Sequence, residues 1–212
     1  VYEISDGGAH GKVVALKAHR DLNLWYRTGL PYDEIHPEDP NNVGVIARSE
    51  TDGQENMKAY KQIPDWKTHY PVAAYVSDLN DENGNPGWYL PAIKEVQAMV
   101  GWIDGEVLSP DGEAGQEPSE AMKEKRKAIN QLIVDNGGNE FYFYGYDVSF
   151  IIDQTNAWEA DYFNRIYTST ETDYQVHPMV FKFYLRNGWW ETMHVYGDLA
   201  GSYGEVRPFL AF

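Results

Sequence analysis

The sequence predicts an α+β domain. Residues 52 to 138 carry apolar positions at three- and four-residue spacing, while everything after residue 140 alternates short apolar or aromatic runs with turn residues. A strand–turn–strand precedes both: Asp6-Gly7-Gly8 and His10-Gly11 supply positions suited to positive φ, and Lys12 to Leu16 is a short apolar run. Residues 18 to 50 hold few periodic apolars and contain Pro31, Pro37 and Pro40, so they read as a loop-rich insertion.

The helical half divides in order. Met57, Tyr60 and Ile63, then Val72, Tyr75, Val76 and Leu79, recur at helical spacing, with Pro64 and Pro71 allowing one kinked helix or two short ones. Asn80 to Gly87 reads as a polar turn. Gly87 to Leu90 reads as a short strand stopped by Pro91, which also fits the first position of a helix. Ala92, Val96, Met99, Val100 and Ile103 form the clearest helical stripe in the chain. A second loop-rich insertion, 104–118, follows. Ser119 then caps a helix whose apolar face is Met122, Ile129, Leu132 and Ile133, with Gly137-Gly138 as its stop. The Lys123–Lys127 cluster inside it reads as a solvated face.

Beyond residue 140 the strand candidates are 141–144, 148–152, 166–169, 179–185, 189–196 and 206–212. One hairpin is predicted in detail. A loop of Arg186, Asn187 and Gly188 pairs Leu185 with Trp189 and Phe181 with Met193, and leaves Trp190, Thr192, His194 and Tyr196 on the opposite face with Tyr184.

The balance of 17 Lys and Arg against 33 Asp and Glu, a formal charge of −16, opposes a nucleic-acid or anionic-membrane surface. Hydrophobic residues at 42% and charged residues at 24% are globular values, and a single domain spanning 1–212 is expected. No apolar run approaches the roughly 18 residues of a membrane span. With no cysteine, disulfide scaffolds, thiol nucleophiles and cysteine-based metal centres are excluded. The start at Val1, without an initiator Met or a signal-peptide core, reads as a trimmed mature chain and leaves room for a lipid anchor upstream.

Three segments carry a resemblance. Trp88, Leu90, Pro91 and Glu95 form a Trp-Tyr-Leu-Pro segment leading into a helix. Tyr167, Ser169, Thr170 and Glu171 form a Tyr-Thr-Ser-Thr-Glu segment. Val206, Arg207, Pro208, Ala211 and Phe212 close the chain. In this order they resemble the bacterial C-type-lectin-like domains of the DUF1566 and fibrobacter-major-domain kind, found in secreted and surface lipoproteins of gut bacteria. Thr168 stands where that family usually has Trp. The resemblance implies two main helices and two antiparallel sheets with the N- and C-terminal strands paired. It also implies export to the cell surface or periplasm, and no catalysis. It casts Trp88 and Phe212 as core plugs, and Arg207 and Glu171 as partners near a sheet end.

Chemical motifs are few. The tripeptides of the calcium-dependent sugar site of true C-type lectins (Glu-Pro-Asn, Gln-Pro-Asp, Trp-Asn-Asp) do not occur. The six histidines make no metal-binding spacing. The oxygen-rich stretch with Asp78, Asn80 and Glu82 resembles a calcium loop, but Tyr89 occupies the twelfth position, so a plain exposed turn is the preferred reading. Ala200 to Gly204 resembles a nucleophile elbow but has no His after Ser202. No phosphate- or dinucleotide-binding fingerprint is present, and no cofactor is expected.

Recognition is left. Tyr at 16 and Trp at 7 outnumber Phe at 8, and such rings suit ligand surfaces as well as cores. Trp190, His194, Tyr196, Asp198, Tyr203 and Glu205 are the candidate ligand-binding residues, aromatic faces stacking on sugar C–H patches and neighbouring acids binding hydroxyls. The expected function is therefore non-enzymatic binding of a glycan or protein ligand, in adhesion. The alternatives are a carbohydrate-active hydrolase of unrecognised type, a structural module, and a variable ligand-binding protein of a diversity-generating system.

Overall fold

A computed structural model describes residues 1–20, 47–82, 84, 86–105, 119–141, 165–171, 178–183, 190–194 and 205–212. Most of the 18–50 and 104–118 insertions, the strand candidate 141–144 beyond Phe141, the candidate 148–152, and the loop at Arg186 to Gly188 lie outside the described residues. So do the candidate residues Tyr196, Asp198 and Tyr203.

The described residues confirm mixed helix and strand. β1 (Glu3–Ser5) and β2 (His10–Val14) flank a 3-10 turn, Asp6–Gly8. Positive φ falls at Asp6, Gly7 and Gly8, as the turn requires, but not at Gly11. Gly11 instead sits inside β2, because a Cβ there would lie 2.5 Å from the Glu3 carbonyl and 2.6 Å from the Phe212 ring.

Residues 53–82 form three helices where one or two were predicted: α1 (Gly53–Tyr60), α2 (Trp66–His69) and α3 (Pro71–Glu82). Asp52 caps α1 by accepting from the Glu55 amide at 2.9 Å. Pro71 opens α3 rather than kinking it, since a first-turn proline lacks only an N–H that would be unpaired anyway. α3 continues to Glu82, so the polar turn begins later than predicted. The 87–90 segment is not a full strand. It makes one antiparallel bridge, Tyr89 to Phe209.

α4 (Ile93–Asp104) and α5 (Glu120–Asp135) are the two helices predicted best. The α4 stripe of Val96, Met99, Val100 and Ile103 is wholly buried. The helix starts two residues after Pro91, with Ala92 at its N-cap. Ser119 caps α5 through the Met122 amide, and Gly137 ends it with a φ of 76°. Two readings of α5 fail. Leu132, placed on the apolar face, is 58% exposed, whereas Arg126, placed in a solvated cluster, is 1% exposed. The buried face runs Arg126, Asn130, Ile133, an i, i+4, i+7 row that includes two polar positions.

Two three-stranded antiparallel sheets complete the described fold. In the first, β2 lies between β1 and the C-terminal β6 (Phe209–Ala211). The chain ends therefore share a sheet, but β1 is one strand removed from β6 and pairs only with β2. Phe212 is not a core plug: it is 48% exposed, its ring covering Gly11, and Phe209 is the buried residue. Trp88 is half-buried against the core.

The second sheet has order β3 (Arg165–Glu171), β4 (Pro178–Phe183), β5 (Trp190–His194). Its hairpin register is one residue off the prediction. Phe183 pairs with Trp190, Phe181 with Thr192 and Met179 with His194. Directly opposed residues share a sheet face. Trp190, Thr192 and His194 therefore lie on the face of Phe183, Phe181 and Met179, not on the other one. The apolar sets that a three-residue loop would align are offset by one residue in the pairing.

The last segment joins the sheets. Glu205 bridges Ile166 in parallel, Val206 bridges His19, and Phe209 to Ala211 pairs with β2. One buried cluster runs from Tyr60 and Val76 through Leu90, Val96 and Val100 to Tyr167 and Phe209, so both sheets and helices α1, α3, α4 and α5 share a core, with Trp66 of α2 packed against it.

Candidate functional site

The residues behind the resemblance lie far apart in sequence, and the fold brings Glu95, Ser169, Thr170, Glu171 and Arg207 into one buried polar framework, while Ala211 and Phe212 stay exposed. At its centre is Glu95, third residue of α4. One carboxylate oxygen accepts from the Tyr89 hydroxyl at 2.8 Å and meets the Lys12 ammonium at 2.9 Å. The other accepts from the amides of Ala92 at 2.8 Å and Gly53 at 3.0 Å. The bond to Ala92 is the backward half of a capping box, the position an N3 glutamate takes by geometry. A single side chain thus ties β2, α1 and α4 together. Burial, and after it the Glu95 carboxylate, pushes the Tyr89 and Tyr2 phenols far above their ordinary range, so both stay protonated.

The second node is the end of β3. Tyr167 pairs with Val180 and Glu171 with Pro178, so residues 168–170 stand opposite Met179 alone. This bulge turns its polar groups toward the helices. The Ser169 amide donates to the Pro91 carbonyl at 2.7 Å, and the Ser169 carbonyl accepts from the Tyr60 hydroxyl at 2.6 Å. Asn56 donates to the Ser169 hydroxyl at 3.0 Å. Thr170 Oγ1 accepts from the Ile93 amide at 3.0 Å and donates to the Ser49 carbonyl at 2.9 Å. Glu171 and Ala47 exchange two bonds, amide to carbonyl at 2.9 Å and amide to carboxylate at 3.1 Å.

The third node is an ion cluster. Arg207 donates to Glu205 Oε1 at 3.0 Å and to the carbonyls of Ala15, Leu16 and Asn139, and its guanidinium lies 4.0 Å from the Phe141 ring centre. Arg20 reaches the other Glu205 oxygen at 3.2 Å. The predicted Arg207–Glu171 partnership is therefore replaced by Arg207–Glu205. Glu205 also leaves the ligand-binding set, because it is 1% exposed with both oxygens held by guanidinium groups.

Of the other candidate ligand residues, Trp190 and His194 stand at the two ends of β5 on one face, with Thr192 between them. The candidate metal residues do not converge. Asp78, Asn80 and Glu82 lie within α3, where successive pairs point about 200° apart around the axis. Asp78 is paired with Lys67, whose ammonium is raised chiefly by that hydrogen bond, while Asn80 is bonded to the backbone of Trp88. Among the described residues no three His, Cys, Asp or Glu side chains cluster to hold a metal, and no helix is long and apolar enough to cross a membrane.

Sequence reasoning missed several framework residues. Arg126 and Asp104 form a buried two-bond ion pair, 2.7 Å at each contact. Arg126 stands three and seven residues from Ile129 and Ile133, a spacing that places it within the apolar stripe. Three asparagines were also missed. Asn56, Asn80 and Asn130 each clamp both backbone groups of one extended residue, Ser49, Trp88 and Phe141 respectively, at 2.6–2.9 Å. A carboxamide offers a donor and an acceptor side by side, as a neighbouring strand would. Comparison of the chain with protein-family models, with curated proteins and with solved structures finds no match.

Proposed function

We propose that this chain is a non-enzymatic recognition domain of the C-type-lectin-like class, exported to the cell surface or periplasm. In this reading it binds a glycan or protein ligand through the β4–β5 ribbon. The observation that carries it is the convergence of residues 88–95, 167–171 and 205–209 on one buried framework. They lie within the segments that resemble that family, 88–95, 167–171 and 206–212, with Glu205 just before the last, and here they serve as scaffold. Their side chains are spent on internal bonds, which leaves ligand contact to the ribbon and the segment after it. Trp190, Thr192 and His194 stand in register with Phe183, Phe181 and Met179 across the ribbon; Trp and Phe are residue types suited to sugar C–H patches, and Thr and His to hydroxyls.

A glycan array probed at pH 7 with and without calcium tests this. Binding that is lost in Trp190→Ala, with the melting temperature unchanged, is the expected result. Release of reducing sugar from a bound glycan would instead support the hydrolase. Silence in both assays would end the glycan reading and leave a protein ligand or a structural module.

A further inference from the structure

We infer that the β3 bulge is the anchor that orients the β4–β5 ribbon against the helical layer, with Ser169 and Thr170 as its positioning residues. Three adjacent residues, Thr168, Ser169 and Thr170, are wholly buried although all are polar, and they occupy the stretch opposite Met179 where regular pairing would place one. A bulge frees backbone groups from the ladder, and freed buried groups must find partners. Here the partners belong to the helical layer. Ser169 takes the Pro91 carbonyl, the Tyr60 hydroxyl and the Asn56 amide, and Thr170 takes the first amide of α4. Before the bulge β3 is bonded as a strand of the ribbon sheet; within it β3 is bonded to α1, the start of α4 and the extended residues beside them. The strand changes partners over three residues, so the angle of the ribbon follows from where the helices hold the bulge.

The functional consequence rests on the ribbon being the ligand face, but the mechanical claim does not. Native-state amide hydrogen exchange tests it directly. In the wild-type protein the Ser169 and Glu171 amides, which donate outside the ladder, should exchange as slowly as those of Val96 and Val100 in α4. In Thr170→Val, which keeps the shape and removes the hydroxyl, the amides of β4 and β5 should exchange about tenfold faster, while those of α4 beyond Ile93, which loses its acceptor directly, change little. Thr170→Ser should restore the wild-type pattern. Ser169→Ala, which removes only the Asn56 contact, should shift the same amides by a smaller factor. Fast exchange at Ser169 and Glu171 in the wild type, or equal acceleration across α4 and the ribbon in Thr170→Val, overturns the inference. An array without bound glycan would remove the glycan reading and leave these exchange results standing.

Discussion

Replacement of Glu95 by Gln and by Ala should destabilise the protein to different extents, and the order follows from the four donors around it. Gln keeps the shape and one acceptor. Its oxygen must face the Gly53 and Ala92 amides, because the opposite orientation would set an NH2 group against two backbone N–H groups. The NH2 then faces Tyr89, whose hydroxyl can rotate to accept, and Lys12, which cannot. Lys12 is partly exposed and retains Glu3 at 3.8 Å, so it swings toward water at modest cost. The sum is the loss of one ion pair and of the charge on two backbone bonds, about 2–4 kcal/mol. Ala removes every acceptor and leaves two buried amides and one buried hydroxyl unsatisfied, about 4–6 kcal/mol. That is a large share of the roughly 5–15 kcal/mol by which domains are stable. Urea unfolding followed by far-ultraviolet circular dichroism and tryptophan fluorescence gives both values, provided the slope is constant between variants. Gln within half a kcal/mol of wild type, or Ala no worse than Gln, would refute the assignment of Glu95 as the node joining β2, α1 and α4.

Four further outcomes follow from the same geometry. Asp104→Ala should cost about 3–5 kcal/mol by taking the carboxylate from the buried Arg126, and Asp104→Leu combined with Arg126→Met should recover most of it; calorimetry of the single and double variants decides, and an unrecovered double variant speaks against a purely ionic role. Asn130→Asp should lose about 1–3 kcal/mol, because a carboxylate has no donor for the Phe141 carbonyl at 2.8 Å, and equal urea midpoints would disprove the clamp. Gly11→Ala should destabilise, and Phe212→Ala in the same chain should relieve only part of the loss, since the added Cβ also meets the Glu3 carbonyl. Stability should fall steeply on the alkaline side. The unfolded chain ionises its phenols near pH 10 while Tyr2 and Tyr89 stay protonated when folded, so their contribution is intact below pH 10. Above it each loses up to about 1.4 kcal/mol per pH unit. Tyr89→Phe with an unchanged alkaline limb would count against this.

What could be read from the sequence was whatever depends on neighbours along the chain. The α4 stripe, the Ser119 cap and Gly137 stop of α5, the opening hairpin and the strands described beyond residue 164 all rest on spacing or on one residue's conformational preference. Such features survive any tertiary arrangement that buries one face. The failures depend on distant partners. A run of Lys and Arg ordinarily is solvated, but Arg126 is buried against Asp104, 22 residues away, whose carboxylate helps to make that burial tolerable. Glu205 looked available to a ligand until Arg207 and Arg20 were seen to hold it.

The sequence by itself determined that this is a cysteine-free α+β chain of strong negative charge whose helices and strands fall in a fixed order. Only the tertiary structure decided that residues 95, 169–171, 205 and 207 serve as internal framework, that β2 lies between the two terminal strands, and that the ribbon register stands one residue from the apolar alignment. The physical reason is the reach of the forces. Periodicity and capping act within a turn or two, whereas a buried charge or amide is tolerable only through a partner that the fold alone brings near.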